Sequence, residues 1–143
     1  MPTRTFCLFS AAVCLLLAGC GGSSGPQRGA VSGSVTLGGE PVARGNINFV
    51  PIRDTKGPVV GGRINDGQYT LSRSEGPIVG WNRIEISWSR ATGRQVPAGS
   101  PYPAGTMVDE ITEAIPAQYN VSSTLEEEIE AKKNVLDFEL ATE

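Results

Sequence analysis

The chain has no histidine and only 3 cysteines in 143 residues. Without histidine there is no Ser-His-Asp triad, no Cys-His dyad and no His-ligated zinc. Charge of either sign is also sparse. Lys+Arg number 12 against 15 Asp+Glu, a formal net charge of -3. That balance gives no electrostatic basis for nucleic-acid binding. No internal repeat is present, and beyond Cys20 no apolar run approaches the roughly 20 residues that span a bilayer. Glycine (18) and proline (10) are plentiful. They are dispersed, so they divide the chain into short elements separated by turns. The length suits one domain with a tail.

The N-terminus has the layout of an export signal. Arg4 and the α-amine supply positive charge, and Phe6 to Ala18 is apolar but too short to cross a membrane. Leu17-Ala18-Gly19-Cys20 resembles the bacterial lipobox, where small residues precede a cysteine that becomes the lipidated N-terminus. The resemblance implies a lipoprotein signal peptide over 1–19, cleaved, and two or three acyl chains such as palmitate on Cys20. One chain anchors only marginally, whereas two or three hold stably. Gly21 follows, not an acidic residue, which by the same resemblance favours the outer membrane of a two-membrane cell. An ordinary signal peptide is the alternative. Cys7 and Cys14 leave with the signal, so the mature domain has no free thiol and no disulfide. Residues 20–29 then form the lipidated Cys20 and a tether, GGSSGPQRG, whose composition is that of a flexible linker.

From Ala30 onward the apolar spacing has period two. Val31, Gly33, Val35 and Leu37 share a face, as do Ile47 and Phe49, Tyr69 and Leu71, Ile84, Ile86 and Trp88, and Leu136, Phe138 and Leu140. Gly38-Gly39-Glu40-Pro41 and Asn65-Asp66-Gly67 are turn signals, the second of a kind that marks tight hairpins. Pro51 closes its strand because it cannot donate to a ladder. Six or seven short strands predict an all-β sandwich over 30–143.

Two stretches depart from this pattern. Ser89 to Ser123, with Pro97, Pro101, Pro103 and Pro116, reads as a long loop in which Val108 to Ile115 has room for a helical turn or two. Ser123 to Lys133 has helical propensity: Ser123 and Glu126 have capping-box spacing, and Glu128 and Lys132 pair at i, i+4. As a strand it turns Leu125, Glu127 and Ile129 inward, with a carboxylate on the apolar side.

Val31-Ser32-Gly33-Ser34-Val35, then Gly38-Gly39-Glu40-Pro41-Val42, then Asp66-Gly67-Gln68-Tyr69-Thr70-Leu71 resemble, in order and spacing, the hallmarks of carboxypeptidase regulatory-like domains. Ile115 to Asn120 and Asn134 to Leu140 are similar to the end of small bacterial lipoproteins built on that domain. The resemblance implies a seven-stranded, transthyretin-like (Ig-like) sandwich in which Leu125 to Ile129 is a strand, and a strand is expected there on that ground. It brings no catalytic residue, because the matched positions are turns, strand boundaries and core.

The chemistry-bearing residues form no strong constellation. Asp109, Glu110 and Glu113, with Glu126, Glu127, Glu128 and Glu130, have the oxygen ligands calcium prefers but not the spacing of a calcium loop, so a solvated acidic face is expected and no metal or cofactor. Asp54, Asp66, Glu75 and Glu85 contain a possible carboxylate pair for glycoside hydrolysis, which sequence does not place. A Ser–Lys dyad would draw on Lys56, Lys132 or Lys133, without the usual S-x-x-K spacing. Trp81, on the polar side of its strand, and Tyr102, in the proline-rich segment, are the candidate ligand-binding residues, because exposed aromatics stack on sugars or anchor proteins. Arg83, Arg90 and Arg94 lie nearby. The expectation is a non-enzymatic, lipid-anchored envelope module that binds a protein or surface glycan. A structural spacer or assembly subunit is the alternative, with a hydrolase third. The oligomeric state is left open.

Overall fold

The computed structural model describes residues 25–142, so the signal segment and Cys20 lie outside the described residues. Eleven strands appear: β1 (Ala30–Leu37), β2 (Glu40–Pro41), β3 (Arg44–Pro51), β4 (Val60–Asn65), β5 (Gln68–Leu71), β6 (Gly80–Ser87), β7 (Ser89–Pro97), β8 (Met107–Glu113), β9 (Glu126–Ile129), β10 (Lys133–Val135) and β11 (Phe138–Leu140). The helical element is a 3-10 turn at Ala117–Tyr119. The main sheet runs β10-β1-β5-β4-β3-β6-β9, with β2 and β11 also on β1. The alternation marks β1, β3, β5, β6 and β11, and the resemblance marks β9. The sheet is antiparallel except where β10 and β11 run parallel to β1. Strands β9 and β10 sit at opposite ends of this order, yet only Glu130 to Lys132 separate them in the chain. The sheet must therefore curl until its halves face each other, giving an all-β sandwich with its core between them.

Two hairpins fix the register. Leu37 pairs with Glu40, and Asn65 with Gln68, each across two residues. Asp66 and Gly67 have φ of 48° and 76°, the left-handed pair that a type I′ turn requires. The inward faces are those expected: Val35, Ile47, Phe49, Ile84 and Ile86 are fully buried, with Tyr69 and Phe138 beside them. Phe49, Tyr69 and Phe138 form an aromatic row, with ring centroids 6.4 Å apart in each step. Burying side chains of this size contributes ~1.5–3 kcal/mol each, which sustains a core without disulfides.

Strand β1 carries both neighbours of the closure. Ala30 to Ser32 pair with β10 and Val35 to Leu37 with β11. Between them the partner chain breaks step at Leu136-Asp137. Leu136 N–H donates to the Ser32 carbonyl at 2.9 Å. The Asp137 carboxylate takes the place of a backbone carbonyl and accepts from Ser34 N–H and Ser34 Oγ, both at 2.7 Å. Tyr69 Oη donates to the Leu136 carbonyl at 2.8 Å, so the core aromatic also reaches the break. Burial pushes the Tyr69 hydroxyl above its ordinary pKa, and the Asp137 and Glu127 carboxylates add to that.

The two bonds from Ser34, the side-chain bond first, hold Asp137 below its ordinary value of 3.8. A carboxylate with a depressed folded-state pKa gives stability that is fully present above its unfolded pKa and is lost as the pH falls through the folded one. The domain is expected to lose stability below about pH 4 partly through this group. In D137N the fall in melting temperature between about pH 5 and pH 3 should be smaller than in the parent. An unchanged slope would mean that Asp137 is not part of the acid limb.

The stretch with helical propensity is a strand. Glu126 to Ile129 pair with Gly80 to Arg83, on an edge of β6 otherwise open. Ser123 caps no helix: its Oγ donates to the Ile84 carbonyl and accepts from Leu125 N–H at 3.3 Å. Tertiary pairing outweighs local propensity here. Glu127 does face inward, half-buried, opposite Asn82. Ser89 to Ser123 is not a long loop, and Val108 to Ile115 is not helical. Strands β7 and β8 form a separate two-stranded ribbon. Its alternation is hidden because both faces are wet, so no apolar period marks either strand. Gln27 to Gly29, tether-like in composition, are hydrogen-bonded to Pro77 and Val79.

Candidate functional site

The ribbon starts at the end of β6 and is rooted by one carboxylate. Trp88 N–H donates to Glu113 Oε1 at 2.7 Å, and Ile115 N–H donates to the same oxygen at 2.9 Å. Ala114 N–H donates to the Trp88 carbonyl at 2.9 Å. The Trp88 ring is buried, with the Arg90 guanidinium 4.6 Å from its centroid. Above the root, Ala91 pairs with Ile111, and the register then slips before Gln95 pairs with Asp109. Thr92 to Arg94 fill the bulge, with Gly93 at φ 81°. Thr92 Oγ1 and Arg94 Nε donate to Glu110 Oε2 at 2.9 and 3.0 Å, and a second Arg94 nitrogen donates to Oε1. The Arg94 bonds first, and then Thr92, hold the Glu110 carboxyl below its ordinary value. The fork fixes the bulge, which increases the local twist of the ribbon.

Every residue of β7 except Val96, and every residue of β8 except Glu110, is exposed. A nine-residue strand reaches about 30 Å, and an isolated two-stranded hairpin is at best marginally stable in water. Both outer edges of the ribbon carry unpaired backbone N–H and C=O groups. Of the seven large hydrophobics exposed among the described residues, four belong to it: Tyr102, Met107, Val108 and Ile111. Alternation puts Met107 and Ile111 on one face, with Pro97 and Ala91 opposite them, and Val108 on the other with Val96. A free strand edge flanked by apolar side chains is what an extended segment of another chain pairs with.

The two candidate aromatics do not form one site. Trp81 is at the start of β6, half-buried, with the Arg53 guanidinium 3.9 Å from its ring centroid. Arg53 is held there by Glu126 at 2.5 Å, so an ion pair already covers the indole. Tyr102 is 59% exposed in the segment joining β7 to β8, beyond the far end of β6. Cys20 lies outside the described residues. Arg83, Arg90 and Arg94 make no shared patch: the first pairs with Glu85, the second lies over Trp88 and the third grips Glu110.

The acidic residues are dispersed. Asp109 and Glu110 point to opposite faces of β8, and Glu113 is bound to backbone. Asp66 occupies a hairpin turn, Glu85 pairs with Arg83 and Glu75 accepts from Ser72. Among the described residues no three His, Cys, Asp or Glu side chains converge as a metal site would require.

Sequence reasoning singled out Tyr102 but not Met107, Val108 or Ile111, nor Glu113 at the root. The available signal was weak: a proline cluster, Pro97 to Pro103, followed by a run with Val108, Ile111 and Thr112, while the run before it holds only Thr92 and Val96 as β-branched residues. No family model matches the chain, and no curated protein or solved structure is significantly similar to it.

Proposed function

We propose that this protein is a lipid-anchored module of the bacterial cell envelope that binds a partner protein without catalysis, through the β7–β8 ribbon. The observation that carries the reading is the ribbon itself: two strands exposed on both faces, free at both edges and holding, with the segment that joins them, four of the seven large hydrophobics exposed among the described residues. The lipobox-like Leu17 to Cys20 supports the anchor, through acyl chains on Cys20, and an extracytoplasmic location at the outer membrane. The order of the turn motifs supports kinship with carboxypeptidase regulatory-like, transthyretin-like domains. A surface glycan is the weaker ligand, since Trp81 is covered by Arg53 and stands apart from Tyr102. The second reading, a structural subunit, draws on the same free edges, which pair equally well with another copy.

Photo-crosslinking from positions 102 and 111 of the full chain in intact cells tests this. The expected result is an adduct with one or a few other envelope proteins. Only homo-adducts would favour the structural subunit, and no adduct at either position would overturn the ribbon as a binding surface. Y102S/M107S/I111S should abolish the adduct made from position 108 while changing stability by less than about 1 kcal/mol, since exposed substitutions cost little. In the same cells C20S should move the chain from the membrane to the soluble fraction.

A further inference from the structure

The end of the sandwich opposite the ribbon root has a charge unlike the rest of the molecule. It collects the start of β1, the β3–β4 and β5–β6 connections, and the β9–β10 corner. These pieces are tied together: Arg28 bridges to Ile78 and donates to the Gly76 carbonyl at 2.7 Å, and Arg73 donates to the Ala131 carbonyl at 2.9 Å. Here lie Arg28, Arg53, Lys56, Arg73, Lys132 and Lys133, against Asp54, Glu75, Glu126 and Glu130, with Arg53 paired to Glu126 and Lys132 to Glu130. Six cations thus face four carboxylates, while the other described residues hold five cations and ten carboxylates. All three lysines of the chain are at this end, and all three are exposed. An open groove of about 510 Å³ lies among them, with Arg73 and Lys133 at its rim and the Ser32, Thr70 and Ser72 residues along it.

The chain also enters the fold here. Six residues lie between Cys20 and Gln27, so the seven steps of chain span at most about 25 Å when fully extended. An acylated Cys20 therefore keeps this end, and not the ribbon end, beside the headgroups. We infer that the basic end is a docking surface for anionic phospholipid headgroups, which seats the domain upright on the membrane with the ribbon root turned away from it. The inference rests on the lipid anchor proposed above. Each basic residue near an anionic surface adds about 1 kcal/mol, so a net charge of +2 enriches the docked state on the order of 30-fold, and salt screens it.

The test uses the full-length lipidated protein in vesicles of phosphatidylcholine alone or with about 30% phosphatidylglycerol. Flotation reports the anchor. An amine-reactive probe, read residue by residue by mass spectrometry, reports the patch. Labelling of Lys132 and Lys133 should slow about 3-fold or more in the anionic vesicles and recover in about 0.5 M salt. R73E/K132E should float like the parent but label Lys133 equally in both vesicles. Equal labelling of the parent in both vesicles overturns the docking surface while leaving the anchor standing. A chain that fails to float with neutral vesicles removes the anchor. Salt-sensitive sedimentation with anionic vesicles, lost in R73E/K132E, would then still support the patch, and its absence would overturn it.

Discussion

Replacing Gly33 with alanine is expected to cost roughly 4 kcal/mol, most of the margin of a small domain, and to lower the melting temperature by roughly 15 °C. A Cβ at position 33 would lie 1.8 Å from the Leu136 carbonyl oxygen and 2.6 Å from its carbon. Both atoms are backbone, so no rotamer change relieves the overlap, and the β10–β11 segment must move off β1. That movement breaks the Leu136-to-Ser32 bond, the two bonds from Ser34 to Asp137 and the bond from Tyr69 to Leu136. Each bond is worth ~0.5–1.5 kcal/mol net, more where a charge takes part, and the intrinsic preference of a strand for alanine over glycine offsets only ~0.5–1 kcal/mol. G99A is the control, because a Cβ there meets nothing within 4 Å. Thermal unfolding of the two variants side by side decides the matter. If G33A melts with G99A, the close approach of Leu136 to β1 is wrong.

N134A is expected to cost roughly 3 kcal/mol, and N134D at neutral pH at least as much. Asn134 is only 8% exposed and closes the corner between β9 and β10. Its Nδ2 donates to the carbonyls of Ala30, Glu130 and Lys132 at 3.0, 3.1 and 3.0 Å, and its Oδ1 accepts from Glu130 N–H at 3.0 Å. One side chain therefore joins both strands of the corner to the start of β1. Alanine leaves one donor and three acceptors to water or to nothing. Aspartate keeps the shape but turns a carboxylate toward three carbonyl oxygens, in a site where an unpaired charge is costly. Chemical denaturation of the two variants separates the roles. A charge-insensitive site, with N134D near the parent, would show that Asn134 fills space and does not hold the corner.

Asn134 could be quoted from the sequence as part of a motif, but its role could not. Its four bonds go to residues as distant in the chain as Ala30, and nothing local distinguishes such an asparagine from one in a turn. Gly33 was recognisable as a backbone device, because a glycine amid alternating valines has no packing reason to be there. Which backbone approaches it depended on the partner strand. The inward residues of β1, β3, β5 and β6 were legible one by one, since a half-buried strand writes its face into every second side chain. Residues Asp66 and Gly67 were legible because a φ above zero restricts which side chains fit.

The ribbon was not legible for the converse reason. Strand β8 has solvent on both sides, so Val108, Asp109, Glu110 and Ile111 follow no alternation, and the prolines and glycines between Gly93 and Gly105 read as loop. The choice at Glu126 to Ile129 shows the same limit. Local propensity pointed to a helix and the resemblance to a strand, and the strand forms on the free edge of β6. Strand class, tight turns and most of the core are written locally in the chain, because these depend on contacts and torsions within a few residues. The exposed ribbon, the Asn134 corner and the gathering of all three lysines at one end emerge only in the assembled fold. Each of those depends on which distant strand edge or loop a segment meets, and that information is written in no single stretch of chain.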